Sequence, residues 1–479
     1  MAGYETNDRP LKAGDISRRT MVATAVAAGA FARPALGQTR RIAPSDKVNV
    51  AIVGAGGQGA NNAFKLLSQN IVATCDVDYE HVRKALSDKT GAIMAARQPQ
   101  KDAYDKAARH TDYRRMFDAQ KGLDAVVIAT PDHHHAIAAR VAMERGLHVY
   151  VQKPLTYTNQ EGRSLLQLAR ANPKLVTQMG NQGHSGNDGR RVIELVRGGV
   201  IGSVREVHVW TNRPIWPQGI PRPEATPTPA SLDWQTWLGP ADVDWGYNEN
   251  YAHFNWRGWL PFGNAAIGDM GAHLIDFPFW ALEPGLPTKL EVRHTRWGAD
   301  IKVPGATGPT PHAGYPLASV AHYEFGHAKG GPLLMTWYDG GLMPATPAAF
   351  PAGLKMNPEG GVLFVGSKGM LMHQTYGEKP VLIGDGLDEA AKAVPQSLPR
   401  IIGGLEGHEM NWIRAIRGEE GISCPFEYAV PLNETMNLGL VAMRADQPIE
   451  YDGAAGQITN VPDANRFLSR TYRQGWELG

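Results

Sequence analysis

The chain has 479 residues, with 48 Lys and Arg residues against 47 Asp and Glu residues. This balance excludes the strong overall charge that draws a protein to nucleic acid or to an anionic membrane, so we expect neither as a partner. A hydrophobic fraction of 43% is typical of soluble globular proteins and excludes disordered, collagenous and membrane-embedded classes. The length predicts two or three domains.

Residues 1–37 have the pattern of an export signal. Arg18 and Arg19 form the paired arginines of a twin-arginine signal, and an alanine-rich apolar stretch follows them. Small residues at 35–37 suit a signal peptidase, and the apolar stretch is too short to span a membrane. We therefore predict a cleaved signal over residues 1–37 and export to the periplasm by the twin-arginine route. The alternative is an uncleaved, disordered N-terminal arm.

Short apolar strands alternate with amphipathic helices over residues 38–173. This alternation predicts an α/β Rossmann domain, in which helices cover both faces of a doubly wound parallel sheet. The predicted strands are 48–53, 71–76, 124–129 and 148–151, and the predicted helices are 57–67 and 133–145.

The pattern changes in the second part of the chain. Strand candidates joined by Gly-rich turns predict an α+β domain over residues 174–479, with a large, mostly antiparallel open sheet. The predicted strands are 204–211, 290–296, 318–325, 333–338, 362–365 and 370–373, and helices follow at 407–417 and 431–443.

A long loop-rich stretch, residues 212–263, opens this second part; we call it the tryptophan-rich segment. Seven of the 12 tryptophans lie between Trp210 and Trp259. A loop of this length within a compact domain is more often functional than not.

A glycine motif directly follows the first strand. The residues from Gly54 to Gly59 match G-x-G-x-x-G, with Gln58 beside the last glycine. In this context Gly54 permits a tight turn, Gly56 lets the backbone approach a pyrophosphate, and Gly59 lets the helix pack closely on the strand. The start of the helix then offers free N–H groups to the phosphates.

Asp76 ends the next strand, 22 residues after Gly54. A carboxylate at this place accepts hydrogen bonds from the ribose hydroxyls. No arginine stands beside it in the run from Cys75 to Asp78, so a 2′-phosphate would meet uncompensated negative charge. The motif therefore predicts NAD as the cofactor, with NADP disfavoured.

Two further strands end in polar residues at the edge of the sheet where ligands bind in such folds. Thr130 and Pro131 follow one strand, and three consecutive histidines, 133–135, come next. Adjacent side chains on a helix diverge, so we interpret these histidines as a helix start with Asp132 as its N-cap and not as a metal site.

Lys153 follows the other strand, between Gln152 and Pro154. A lysine at this edge points towards the nicotinamide and can share a proton with a substrate hydroxyl. The alternative is a solvated surface lysine, which is the ordinary state of a lone lysine.

The last motif places Asp269, His273 and Asp276 on one predicted helical face. Asp269 can orient His273 or a substrate hydroxyl, and His273 can act as a base during hydride loss. The alternative is a metal site built from these three residues, but no third element supplies an obvious further ligand. We therefore predict no metal.

At these residues the chain resembles the glucose–fructose oxidoreductase, inositol dehydrogenase and MocA (Gfo/Idh/MocA) family, over nearly all of its length after the signal. The resemblance implies that Lys153, Asp269 and His273 line the active site, and that the Thr-Pro segment with His135 lies at the cofactor. The sequence departs at Gln152, where the family usually has glutamate.

The resemblance also implies that the segment from Met179 to His184 approaches nicotinamide and substrate, which makes Asn181 and His184 substrate-binding candidates. The stretch around Trp216 resembles an exported branch of the family. It further implies a homodimer or homotetramer.

Family and tryptophan content together predict a carbohydrate substrate, because tryptophan faces suit the apolar side of a pyranose ring. We expect Lys153 or His273 to take the proton of a ring hydroxyl while hydride passes to NAD. Free NAD is not expected outside the cytoplasm, so the cofactor should be tightly bound. The alternatives are a redox-neutral glycosidase or lyase that oxidises its substrate transiently, and a binding protein with a degenerate site.

Overall fold

The computed structural model describes residues 39–40, 42–43, 46–87, 91–295, 313–326 and 330–478. The export signal predicted over residues 1–37 lies outside the described residues. In the part of the chain that is described, no helix combines the length and apolar character needed to cross a bilayer.

The first sheet is parallel, as predicted. Its strand order is β3-β2-β1-β4-β5-β6, and β1 and β4 are almost entirely buried because helices cover both faces of the sheet. The sheet extends to Met179, beyond the domain boundary predicted at residue 173. Its strands are β1 (Asn49–Val53), β2 (Asn70–Cys75), β3 (Ala108–His110), β4 (Ala125–Ile128), β5 (His148–Val151) and β6 (Thr177–Met179).

Helices connect these strands and continue into the second part of the chain. They are α1 (Gly57–Lys65), α2 (Tyr79–Ser87), α3 (Gly91–Lys106), α4 (Tyr113–Ala119), α5 (Asp132–Glu144), α6 (Asn159–Ala171), α7 (Asn187–Arg197), α8 (Trp234–Leu238), α9 (Ala265–Leu274), α10 (Asp276–Leu282), α11 (Leu387–Ala393), α12 (His408–Ile416) and α13 (Phe426–Ala445).

The second sheet has nine strands among the described residues, in the order β13-β12-β11-β7-β10-β9-β8-β14-β15. Strands β7 and β10 pair in parallel, and the other neighbours are antiparallel, which confirms the predicted fold class. The strands are β7 (Val204–Thr211), β8 (Lys289–His294), β9 (Ser319–Phe325), β10 (Leu333–Tyr338), β11 (Gly360–Gly366), β12 (Met370–His373), β13 (Val381–Ile383), β14 (Ile449–Asp452) and β15 (Gln457–Ile458).

Helix α13 corrects one sequence-based boundary. It begins at Phe426 and not at Pro431, which lies inside it. Proline removes a helical hydrogen bond and normally interrupts a helix. Here most side chains of the helix are buried against α6 and α9, and this burial outweighs the local cost.

The tryptophan-rich segment has an apolar core of its own. Trp234 and Trp237 stack with ring centroids 4.5 Å apart, and Tyr251, Trp259 and Phe262 are almost completely buried with them. The tryptophans therefore fix an irregular segment in place, since each buries a large apolar surface.

Candidate active site

The glycine turn has the geometry that the motif predicts. Gly54 has a φ of +76°, a conformation that favours glycine, and a Cβ there would lie 2.6 Å from the carbonyl oxygen of Ala129. A Cβ at Gly59 would overlap the carbonyl oxygen of Gly54, so helix α1 packs as closely on β1 as its backbone permits. These contacts fit a cradle for the pyrophosphate of a dinucleotide.

Asp76 directly follows β2, next to this turn. Its carboxylate accepts hydrogen bonds from the backbone N–H groups of Gly56, at 3.1 Å, and Asp78, at 3.0 Å. Burial raises the pKa of Asp76. The two backbone donors fix the carboxylate at the place where the sequence predicts a ribose contact.

Lys153, which follows β5, is held by Asp269. Its Nζ donates to Asp269 Oδ1 at 2.8 Å and to the main-chain carbonyl of Asp269 at 2.7 Å. The Lys153 side chain is only 16% exposed, which excludes the alternative of a solvated surface lysine. Two of its three N–H donors are used in these bonds, so the third can donate to a substrate oxygen.

Small residues on α9 bring Asp269 to this lysine. A Cβ at Gly271 would lie 2.7 Å from Met436 Sδ, and one at Gly268 would lie 2.3 Å from Asn264 Cβ. The small residues therefore let α9 pack closely against α13 and against the residue that precedes the helix.

Asp269 interacts with three cationic side chains. Besides Lys153, Arg257 Nε donates to Asp269 Oδ1 at 3.1 Å, and Arg213 Nε lies 3.7 Å from Oδ2. Burial alone would raise the pKa of Asp269, but the charges of Lys153 and Arg257 hold it far below its ordinary value. Asp269 is therefore ionised, and its hydrogen bonds anchor Lys153 and not, as the sequence suggests, His273.

His273 lies one helical turn further along α9. Burial and then the charge of Lys153 lower the pKa of His273 to about 3. The imidazole is neutral at pH 7, and its Nδ1 has no hydrogen-bond partner among the described residues. Such a side chain can accept a proton.

Two cavities meet at these residues. The first, which we call the glycine cleft, has a volume of about 350 Å³ and is bounded by the glycine turn and the tryptophan-rich segment. The second, the polar cavity, has a volume of about 520 Å³. Four side chains line both cavities: Lys153, Phe254, His273 and Tyr376.

Most of the predicted cofactor residues line the glycine cleft. Those that do are Gly54, Gly56, Gln58, Asp76, Thr130, Pro131, Gln152 and Lys153. Gly59 acts through helix packing as described. His135 is buried away from the cleft, with Nδ1 2.7 Å from the carbonyl oxygen of Pro154 and Nε2 2.9 Å from that of Thr130. The neutral ring donates to one of these two oxygens and packs between the two loops without lining the cleft.

The predicted substrate residues Asn181, His184 and Trp216 line neither cavity. His184 Nδ1 lies 3.0 Å from the carboxylate of Asp276, and its ring stacks on Trp280. Trp216 is buried and donates from Nε1 to Gln218 at 2.9 Å. These side chains fill the interior next to the site, as does the fully buried Asn181.

The other two histidines of the triplet also bond main-chain groups. His133 Nε2 and His134 Nε2 both lie within 3.0 Å of the carbonyl oxygen of Trp237. Asp132 is the first residue of α5 and not its N-cap, and its Oδ2 accepts from the N–H of Asn264. His133 and His134 thus join α5 to the tryptophan-rich segment.

The three residues of the metal alternative do not lie on one helix, because α9 ends at Leu274 and Asp276 is the first residue of α10. Asp276 bonds His184 and Tyr428 instead. Within the described ranges, no group of three or more His, Cys, Asp and Glu residues could hold a metal ion.

Sequence reasoning missed Arg213, Arg257 and Tyr376. Arg213 and Arg257 flank the lysine–aspartate pair, and Tyr376 packs edge-on against His273 with ring centroids 4.9 Å apart. These residues lie in irregular connections, so no hydrophobic period marks them. The two arginines lie in a long loop, and because such loops are often functional, their location could have marked them as candidates.

Comparisons with known proteins agree with this geometry. Residues 48–179 match the model of the Gfo/Idh/MocA oxidoreductase family with its NAD-binding Rossmann fold, and residues 190–296 match that family's C-terminal alpha/beta domain. A glycosyl hydrolase family 109 protein of Saccharopolyspora erythraea is 29% identical over 225 residues. That match covers 43% of this chain and 46% of the relative, so the chain spans about half the length of the curated relative.

Solved structures share the fold. The WlbA dehydrogenase of Bordetella pertussis, crystallised with NADH and UDP-GlcNAcA, superposes with a TM-score of 0.57 at 16% identity, covering 86% of this chain and 99% of that one. The myo-inositol dehydrogenase of Lactobacillus casei, crystallised with NAD(H) and myo-inositol, gives 0.51 at 14% identity, covering 85% and 97%.

The part of the chain that matches the NAD-binding family model contains both the glycine turn and Asp76, which together form the predicted dinucleotide site. The chain belongs to the Gfo/Idh/MocA family of NAD-binding oxidoreductases.

Proposed function

We propose that the protein oxidises a ring hydroxyl of a sugar or sugar derivative to a carbonyl, with NAD held in the glycine cleft. The observation that carries this proposal is the meeting of the two cavities at Lys153 and His273. A substrate in the polar cavity and a nicotinamide in the glycine cleft would both contact these side chains.

The two side chains have different protonation states and therefore different roles. His273 is neutral, and its Nδ1, which is unpartnered within the residues that the structure describes, is the proposed acceptor of the substrate hydroxyl proton. Its low pKa makes it a weak base in the resting site, so the proton moves to it as the hydride leaves and not before. The Lys153 ammonium, fixed by Asp269, donates its remaining N–H to the same oxygen and stabilises the negative charge that develops there. The glycine turn and Asp76 would hold NAD, which would supply the hydride acceptor that balances the two-electron oxidation.

The polar cavity supports a polyhydroxylated substrate. Its walls present amide, hydroxyl, carboxylate and guanidinium groups, which are the groups that bind sugar hydroxyls. None of its lining residues in the described part of the chain is a tryptophan, so stacking on a sugar ring would come from Phe254 or Tyr376, and the polar residues supply the hydrogen bonds. The polar lining residues include Asn212, Arg213, Asn357, Glu359, Gln374 and Thr375.

A second candidate function is redox-neutral cleavage of a glycoside: the oxidised sugar would eliminate its leaving group and add water, and the hydride held on the cofactor would then return to the carbonyl. The similarity to a glycosyl hydrolase family 109 protein supports this candidate. Both candidates use the same proton acceptor and the same cofactor.

Absorbance at 340 nm and product analysis separate the two candidates. The purified protein, loaded with NAD, is mixed with a panel of free sugars, inositols and glycosides. A net rise at 340 nm supports oxidation, and glycoside cleavage without a net rise supports the second candidate. A NAD-loaded protein that does neither with any member of the panel contradicts both.

We also propose that the chain is exported by the twin-arginine route with its cofactor already bound. The paired Arg18 and Arg19 before an apolar stretch support this proposal. Replacing both with lysine should leave the protein in the cytoplasmic fraction, whereas the unmodified chain should appear in the periplasm. An unmodified chain found only in the cytoplasm contradicts it.

A further inference from the structure

The glycine cleft has two walls, and only one belongs to the Rossmann domain. The second wall comes from residues 231–257, which we call the cover segment. Its side chains in the wall are Thr236, Trp237, His253, Phe254, Trp256 and Arg257. A dinucleotide lying on the glycine turn would therefore have protein on both sides.

The cover segment is attached to the loop that follows Asp76. The N–H of Asp233 donates to the carbonyl oxygen of Val77 at 2.9 Å, and Asp78 forms a β-bridge with Leu232. Asp76 is the predicted ribose contact, so the attachment lies beside the adenosine end of the cleft.

His253 makes a side-chain contact between the two walls. Its Nε2 lies 2.9 Å from Asp78 Oδ2, and its ring stacks on His81 with centroids 4.0 Å apart and planes inclined by 13°. Burial alone would raise the pKa of Asp78, but hydrogen bonds from Ser231 and the backbone N–H of His81, together with the charge of His253, hold it below its ordinary value. Asp78 is thus an ionised acceptor, and a charge-assisted bond across the cleft is stronger than a neutral one.

The cover segment cannot move aside easily. Its base belongs to the buried aromatic core of Trp234, Trp237 and Tyr251, and the carbonyl oxygen of Trp237 is bonded by two histidines of α5. The other end of the segment is more exposed: the side chain of His253 is 28% exposed and Phe254 is 49% exposed. This end can therefore open with the least loss of buried surface.

The structure assigns residues 231–257 as the second half of the dinucleotide site. This cover segment retains NAD on the protein through successive turnovers, and the His253–Asp78 hydrogen bond keeps the segment in place over the cleft. This inference rests on the proposed function in taking the cofactor to be recycled in place. The inference names the residues that slow the exchange of bound NAD with NAD in solution. The glycine motif and Asp76 bind the dinucleotide but do not cover it.

The test measures how fast NAD leaves the protein, with no sugar present. Full-length protein loaded with radiolabelled NAD is mixed with excess unlabelled NAD, and the label retained is followed by rapid filtration. We expect His253→Ala to release NAD at least about tenfold faster than the unmodified protein, since a hydrogen bond to a charged group is lost. His253→Gln, which can still donate to Asp78, should stay within about threefold of the unmodified protein.

His208→Ala is the matched control. His208 also contacts a carboxylate, with its Nε2 3.1 Å from Glu206, but it lies on β7 and lines neither cavity. Its release rate should equal that of the unmodified protein, and melting curves of all variants check their folding.

Two results overturn the inference: a His253→Ala rate equal to that of the unmodified protein, or an unmodified protein that exchanges NAD within seconds. Either result leaves the proposed sugar oxidation intact, because a freely exchanging cofactor can still accept hydride. Conversely, a protein that retains NAD but oxidises no sugar contradicts the proposed function and not this assignment.

Discussion

The glycine turn and the tryptophan-rich segment face each other across one cleft, yet their sequences specify structure in different ways. At the turn, Gly54 and Gly59 are required by close contacts with backbone atoms that a side chain would disrupt. In the segment, tryptophans build a local core, and histidines of α5 bond one of its main-chain carbonyls. A short motif therefore specifies the first wall, whereas the second depends on side-chain packing between distant residues.

This difference shows that aromatic residues in a long loop do not by themselves indicate a ligand-binding surface. Tryptophans near a sugar site can stack on the ring, but burial of the indole stabilises the fold at the same time. Here Trp237 and Trp256 line the cofactor side, and Trp216 lies in the interior. Substitutions in each wall, and in the residues between them, can separate these roles.

Lys153→Met should have the largest effect, because Lys153 is at the junction of the two cavities. We expect kcat for reduction of bound NAD to fall by about a hundredfold to a thousandfold, as for other hydrogen-bond donors that stabilise a developing negative charge. NAD retention should change little. Lys368→Met, at an exposed turn of the second sheet, is the control, and a Lys153→Met enzyme with near-normal kcat would refute the assigned role.

Gly59→Ala tests the wall of the cleft that the glycine turn forms. The new Cβ would overlap the Gly54 carbonyl, and moving the turn to relieve this overlap costs about 2 kcal/mol, which weakens NAD binding about thirtyfold. Calorimetric titration with NAD measures the effect. Gly122→Ala is the control, since a Cβ at that position would meet no described atom within 4 Å. Equal affinities for the two variants would contradict the close packing of the turn.

Acid should destabilise the packing of helix α5 against its neighbours. Burial lowers the pKa of His134 to about 3 and that of His135 to about 4, whereas the unfolded chain binds these protons near pH ~6.5. The stabilisation is therefore complete above about pH 6.5 and is lost as pH falls towards 4, by roughly 1 kcal/mol per histidine and pH unit.

Urea unfolding at about pH 7.5 and pH 5 measures this loss. His134→Gln should flatten the pH dependence, and the control His208→Ala should change it less. A free energy of unfolding that is the same at both pH values would contradict the neutral, buried state of these histidines.

Trp216→Phe should have the smallest effect. Trp216 lines neither cavity, so we expect KM and kcat for the sugar to change less than about twofold, with a loss of stability of roughly 1 kcal/mol from the hydrogen bond to Gln218. Trp237→Phe is the comparison, because Trp237 lines the glycine cleft and its loss should reduce energy transfer to bound NADH. A tenfold rise in KM for Trp216→Phe would restore the stacking interpretation.

The sequence is most informative where chemistry coincides with regular structure. Lys153 directly follows a parallel strand, and Asp269 and His273 are one turn apart on a helix, so their convergence follows from strand order and helical period. The sequence pattern starts helix α13 too late, at Pro431, because a proline commonly begins a helix, and only tertiary burial shows otherwise.

Other site residues could not be predicted from the sequence. His253 meets Asp78, and Arg257 meets Asp269, only because an irregular segment folds across the Rossmann domain, and such contacts leave no periodic pattern. His184, which the family resemblance makes a substrate candidate, lines neither cavity, and its imidazole bonds Asp276 inside the core.

The cleft between the glycine turn and the cover segment is the NAD site on which every role assigned above depends. Its most direct test is the amount of dinucleotide released when the purified protein is denatured, measured by mass spectrometry against the protein concentration. We predict close to one NAD per chain, with NADP a minor component. A protein that yields no dinucleotide, and takes up none when incubated with NAD, would contradict this account.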